Sequence, residues 1–229
     1  MAQVNLERRA EIGLAKRSRT RAAILEAARG CYADTTAAPV TVDAVVRAAG
    51  LAKGTFYVHF EDLAALEAEL GQTLIQELDQ RLQPARLAGS DPLTRIATGV
   101  TVLLRGLAHT PVQARLVAGA ATAMPDVVTA IQRHLHEDLT EAQAAGLLAV
   151  GSVELAARVV TALSQQAALD FADGRIDESA VPDIVRAILR AIGCAPREAA
   201  RHASAGERHA QAHSRSTTVV NRAPIRRNR

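Results

Sequence analysis

The sequence predicts an all-α protein: a small three-helix head built on a helix-turn-helix, a long connecting helix and a larger helical bundle. Three observations carry this. Aromatic residues are 2% of the chain, and its valines sit among alanines and leucines. Strand formers are therefore scarce, while Ala, Leu, Arg, Glu and Gln favour helix. Apolar residues recur at helical spacing from Ile24 to about Ile192. Proline and glycine stand where helices begin and end.

Taken in order, the first helix covers 18–34, with Ile24, Ala27, Ala28, Cys31 and Tyr32 on one face. DTTAAPV then breaks the pattern, and Pro39 biases Ala38 toward an extended backbone. Thr41 is an N-cap for VDAVVRAA, and Gly50 stands where a helix ends in a left-handed turn. A second short helix runs from Lys53 to about His59, completing the helix-turn-helix. From Asp62, leucines 63, 66, 70, 74, 78 and 82 repeat until Pro84. About five further helices follow. They open at Asp91-Pro92, Thr110-Pro111, Met124-Pro125, Ser152 and Val181-Pro182, and Gly146 and Gly193 close two of them. After Pro196 the chain is Arg, Ala, His and Ser without periodicity and reads as disordered.

The formal net charge of +3 hides an asymmetry. Arg8, Arg9, Lys16, Arg17, Arg19 and Arg21 face only Glu7 and Glu11 at one end, and residues 197–229 carry eight arginines against Glu198 and Glu207. The body between is acidic. Basic ends suit a polyanion, or are solvated tails, the reading preferred for the C-terminal end. No apolar run nears the length of a membrane span, and the N-terminus is too polar for a signal peptide. Cys31 and Cys194 form neither a disulfide framework nor a zinc spacing, which points to a reducing cytoplasm. No nucleophile–base constellation or phosphate loop is present, so neither an enzyme nor a cofactor is expected. His134-x-His136 projects to different helix faces, a poor metal pair. His134 with Asp138, and the acidic cluster Glu137, Asp138 and Glu141, read as solvent-facing surface.

GLAKGTFYVHF, 50–60, holds three of the chain's five aromatics and one of its two lysines. On a helix at about 100° per residue, Phe56 and Phe60 share a face that anchors to the head. Gly54 and Val58 lie nearly opposite, with Lys53 and Tyr57 on one flank and Thr55 and His59 on the other. Such a helix suits a DNA major groove. Gly54 admits close backbone approach, Thr55 and Lys53 reach base edges or phosphate, and Tyr57 and His59 reach sugar-phosphate. Thr41 offers a hydroxyl to phosphate at a helix start. A short surface helix with an aromatic anchor fits the spacing equally well.

TVDAVVRAAGLAKGTFYVHFEDLAAL, 41–66, resembles the DNA-binding motif of the TetR family of transcriptional regulators. Thr41-Val42, Ala49-Gly50, Lys53-Gly54-Thr55, Tyr57, His59-Phe60 and Leu66 stand at family spacing. The resemblance reaches back through ILEAARGCY and covers roughly 18–78. It implies a basic arm over 1–17, a DNA-binding domain over 18–78, a helical ligand-binding and dimerisation domain over 79–195, and a basic tail over 196–229. It implies a repressor that contacts a double-stranded operator through Thr41, Lys53, Gly54, Thr55, Tyr57, His59, Arg21 and Arg47. It also implies a homodimer whose 53–59 helices enter successive major grooves about 34–36 Å apart. An unidentified small-molecule effector in the bundle would spread the heads and release DNA. The sequence departs from the family at Thr36, usually glycine, at Val40, often threonine, at Ala52, often a capping serine, and at Leu63, often a phosphate-contacting lysine. These departures leave room for a helical binding protein or enzyme with a vestigial head, and they shift the load onto Arg17, Arg19, Arg21 and Arg47.

In the bundle, 153–171 shows two apolar stripes: Ala156, Val160, Leu163, Ala167 and Phe171, and beside them Leu155, Val159, Ala162 and Leu169. Contact on two sides is expected, one of them with a second copy. Leu103, Leu107, Met124, Val128 and Leu135 read either as pocket lining or as plain core.

Overall fold

A computed structural model describes residues 2–33, 39–123, 130–149 and 151–220. Among the described residues every regular element is helical. The chain divides into two compact units, Met1–Gly71 and Gln72–Arg229.

The first unit holds α1 (Ala2–Ala33), α2 (Val42–Ala49), α3 (Lys53–His59) and the start of α4 (Leu63–Leu87). Ile24 and Ala28 of α1, Val45 and Val46 of α2, Phe56, Phe60 and Leu66 are buried together as its core. The helix expected from residue 18 begins instead at Ala2. Its first half lacks an apolar stripe, but Ala, Leu, Arg and Glu hold the helix by propensity alone. Thr36 and Ala38 lie outside the described residues.

The second unit contains the rest of α4, α5 (Pro92–Ala108), α6 (Pro111–Ala123), α7 (Ala130–Ala144), α8 (Val153–Ala172), a single 3₁₀ turn, α9 (Val181–Ala191) and α10 (Pro196–Val220). α5 is its axis: Leu93, Ile96, Ala97, Val100 and Leu104 join one core with Val153, Val160 and Phe171 of α8 and Val185, Ile188 and Leu189 of α9. Asp91 caps α5 by accepting from Thr94 N–H at 2.9 Å, and Ser152 caps α8 by accepting from Leu155 N–H at 3.1 Å. The Met124-Pro125 start signal, Met124 and Val128 lie outside the described residues.

Three sequence expectations for this unit are corrected. Helix α4 does not stop at Pro84 but runs on to Leu87. A proline removes one helical N–H and crowds the preceding turn, and this close to a terminus that is tolerated. On α8, Leu163 is 39% exposed and Ser164 takes its place in the buried face with Ala156, Val160, Ala167 and Phe171. A polar residue at that register is invisible to an apolar-stripe reading.

The largest correction is the tail. Residues 196–220, expected to be disordered, form α10, which packs along α5. Its buried face is Ala199, His202, Ala203, Gly206 and Ala210, at helical spacing but made of small residues. Small residues let the helix axes close in. A Cβ built on Gly206 would sit 2.8 Å from the Ala97 carbonyl carbon, so glycine is required there. The last nine residues, 221–229, lie outside the described residues.

His202 sits in this interface, 4% exposed. Arg201 Nη2 lies 3.1 Å from its Nε2, which must accept, so Nδ1 carries the proton toward Thr94 Oγ1 at 2.9 Å. Thr94 in turn donates to Asp91 at 2.7 Å. Burial pushes the His202 imidazole down from its ordinary value; Asp91 and Glu198 raise it, and Arg201 lowers it further. The fold therefore prefers the neutral ring. With the folded value below the unfolded one of about 6.5, the contribution is complete above that pH and is lost as pH falls through the folded value. Thermal unfolding of the parent should thus lose stability below about pH 6.5 more steeply than that of His202→Gln. Parallel curves for the two would remove His202 as the source.

Candidate nucleic-acid interface and bundle cavity

The turn between α2 and α3 is set by local chemistry. Thr41 Oγ1 accepts from Ala44 N–H at 3.2 Å and caps α2. At the other end Gly50 takes φ 66°, while Leu51 N–H bonds Val46 O and Gly50 N–H bonds Arg47 O. That paired closure needs a left-handed residue, which glycine supplies without a Cβ penalty. Helix α3 starts at Ala52 without a side-chain cap, and Asp62 caps α4 by accepting from Ala65 N–H at 2.8 Å.

Phe56 and Phe60 point into the head, 0% and 3% exposed, with ring centroids 5.6 Å apart. Tyr57 and Val58 face outward at 53% and 62%, and Lys53 and Gly54 are exposed beside them. Thr55 and His59 are half-buried, and Thr41 and Arg47 are exposed on α2. The structure thus brings Lys53, Gly54, Tyr57 and Val58 to one open face and keeps Thr55 and His59 at its edge.

Arg21 is placed differently from a free phosphate contact. Its guanidinium forms a bidentate pair with Glu69, donates to His59 O and lies 4.2 Å over the Phe60 ring. Arg17 donates to Val58 O at 3.4 Å. The last carbonyls of α3 lack helical partners, so these two arginines close its negative end. Lys53 likewise has a partner, Asp43, at 3.0 Å. Burial pushes the His59 imidazole down, and the charges of Arg17 and Arg21 push it further. A neutral imidazole beside two guanidiniums leaves the positive potential to the arginines. Sequence reasoning missed Glu69 and Asp43. The Arg21–Glu69 bond joins residues 48 apart, beyond any spacing rule.

Within the second unit, a cavity of about 150 Å³ is lined by α4, α5, α6, α7 and α8. Leu103, Leu107 and Leu135, read as lining or core, are among its walls. At its edge Asp138 accepts from Arg86 at 2.6 Å and from Arg95 at 2.7 Å, and Arg95 also pairs with Glu141. Asp138 is 3% exposed, which corrects its solvent-facing reading, while Glu137 and Glu141 are exposed as expected. Its partners come from α4 and α5, and helix periodicity cannot announce them. His134, read as surface, is half-buried, 3.2 Å from Asp79 and bonded to Gln83. Among the described residues no His, Cys, Asp and Glu group is arranged to hold a metal, and no helix is long and apolar enough to cross a membrane.

Comparison with known proteins agrees with the head. Residues 24–70 match the family model for bacterial regulatory proteins, tetR family. No curated protein matches the sequence. The fold is similar to that of RolR in complex with resorcinol, at 23% identity and TM-score 0.64, over 83% of this chain and 96% of that one. A TetR-family transcriptional regulator from Pectobacterium atrosepticum is 26% identical, with TM-score 0.59, over 80% of this chain and 98% of that one. FadR from Bacillus subtilis in complex with stearoyl-CoA is 17% identical, with TM-score 0.51, over 73% and 96%. Residues 24–70 therefore carry the helix-turn-helix domain found in bacterial regulatory proteins of the tetR family.

Proposed function

We propose that the protein is a homodimeric repressor that binds a specific operator through α3 and releases it when a small molecule fills the cavity of the second unit. The observation that carries this reading is the two-sidedness of α3. Phe56 and Phe60 are buried beneath it, while Lys53, Gly54, Tyr57 and Val58 form an open face fit for a major groove. In this reading Thr41 and Arg47 contact phosphate, and Thr55 and His59 contact the groove edge. Arg21 acts through α3 by holding its C-terminal end, so its replacement would misplace the helix rather than delete a phosphate contact.

Two further observations support the rest. Leu155 is 53% exposed and Leu163 39%, with Ala162 exposed beside them, an apolar strip that a second copy would cover. The cavity draws Ile75, Asp79 and Leu82 from α4, the helix that begins at Leu63 just after α3. A ligand there acts on the element that leads to the reading head. Neighbours of the fold solved with resorcinol and with stearoyl-CoA support a small-molecule role.

The test is an electrophoretic mobility shift on DNA upstream of the protein's own gene, run across a salt series. Binding should weaken steeply with salt. Tyr57→Ala should weaken it roughly tenfold without unfolding the head. Lys53→Ala should reduce the salt slope by about one. Parental affinity in both variants would show that the outward face of α3 is not the reading face, and no retardation at low salt would sink the proposal.

A further inference from the structure

We infer that the cavity of the second unit takes a neutral, single-ring molecule carrying at least one oxygen, held by a hydrogen bond to Ser164 Oγ. This rests on the reading of that unit as the effector domain and adds the ligand's chemical class and a contact residue.

Size comes first. The cavity holds about 150 Å³. An apolar protein cavity of that volume accommodates a benzene-sized ring. A long acyl chain or a fused polycycle would have to extend beyond it.

The walls come second. Ile75, Ile96, Val100, Leu103, Leu107 and Val160 are aliphatic, and none of the five aromatic side chains of the protein is among the lining residues. Affinity must come from apolar burial and polar contacts rather than ring stacking.

Charge excludes ions. Asp138 is shared by Arg86 and Arg95, Arg95 also meets Glu141, and Asp79 meets His134. An ion entering the cavity would find these charges already neutralised against one another, so its own loss of hydration would go largely uncompensated. A neutral ligand leaves them intact.

The remaining observation names the contact. Ser164 is 9% exposed, lines the cavity, and its Oγ has no hydrogen-bond partner among the described residues. A helical serine ordinarily bonds a carbonyl one turn back, and a buried hydroxyl with no partner is uncommon. Arg86, another lining residue, has a buried Nε without a partner among the described residues. Ser164 can donate or accept, while Arg86 Nε only donates. A ligand oxygen with free lone pairs satisfies either, and a ring with two oxygens offers one to each. Gln165 is already committed, its Nε2 donating to Ala118 O at 2.9 Å.

The experiment is isothermal titration of the full chain and of Ser164→Ala with phenol, resorcinol, cyclohexanol, benzene and benzoate. Ser164→Ala deletes one oxygen and should leave folding intact. The hydroxylated rings should bind the parent, and benzoate should not. Ser164→Ala should weaken phenol and resorcinol about three- to tenfold and leave benzene unchanged. Benzoate binding as tightly as phenol would overturn the neutral class, and an unchanged phenol affinity in the variant would overturn the Ser164 contact. Absence of binding by every ring would overturn the assignment while operator binding, measured separately, still stood. Ring binding that leaves operator affinity untouched would overturn the effector reading and leave the assignment in place.

Discussion

Phe56→Ala is expected to unfold the head while the second unit stays folded. Phe56 is fully buried in the head, with the Phe60 ring 5.6 Å from its centroid. Truncating a buried phenylalanine costs about 3–5 kcal/mol, through lost transfer energy and the cavity left behind. A core of this size rarely supplies more than about 3–5 kcal/mol in total, so one such loss consumes it. Amide hydrogen exchange is the measurement. Protection should vanish over 42–60 and persist in α5, α8 and α9. The contrast with Tyr57→Ala, one position along, makes the result specific. That variant should keep its protection and lose DNA affinity, whereas Phe56→Ala should lose both. Retained protection over 42–60 in Phe56→Ala would show that the head does not depend on its aromatic anchor.

The helix-turn-helix was legible in the sequence because its determinants are local. Thr41 caps within three residues, Gly50 is fixed by its own φ, and the Phe56–Phe60 pair is one helical turn apart. Such features need no knowledge of what packs against them. The polar network of the head was not legible. Arg21 looked like a free cation, because its partners Glu69 and the His59 carbonyl arrive only with the tertiary fold.

The bundle divides in the same way. The Asp91-Pro92 start signal announced α5, and a stripe of large aliphatics, Val181, Ile184, Val185, Ile188, Leu189 and Ile192, announced α9, since such residues at three- and four-residue spacing report one buried face. α10 escaped because its buried face is Ala199, Ala203, Gly206 and Ala210, with His202 among them. Alanine and glycine carry little hydrophobic signal, yet they bring helix axes closest. The spacing 199, 203, 206, 210 was readable and would have found the helix had small residues been counted as packing residues. Ser164 and Asp138 escaped for the opposite reason. Both are polar residues at buried positions, and pattern reading assigns polar residues to solvent. Sites built from buried polar groups are thus where a hydrophobic-period argument fails, and the cavity is such a site.

Asp138→Ala should be the most damaging single change in the second unit and should also invert what the cavity accepts. Asp138 is 3% exposed and is the carboxylate between Arg86 and Arg95, at 2.6 Å and 2.7 Å. Removing it leaves two guanidiniums in a largely apolar wall, with Glu141, a much more exposed partner, on Arg95 alone. Breaking one side of a buried pair typically costs about 3–5 kcal/mol. For a unit of this length that is a fall in melting temperature on the order of 10 °C. Asp138→Asn keeps the shape and one acceptor oxygen but loses the charge, so it should be nearly as damaging if charge compensation is what matters. The arginines also make a second readout available. With the internal carboxylate gone, an anion of ring size can supply the missing charge, so benzoate, excluded from the parent, should bind Asp138→Ala and restore part of the lost melting temperature through preferential binding to the folded state. Phenol should restore less, because it brings no charge. A variant that melts like the parent would show that Asp138 does not hold the two arginines, and equal rescue by phenol and benzoate would show that compensation of charge is not what keeps the parent cavity closed to ions.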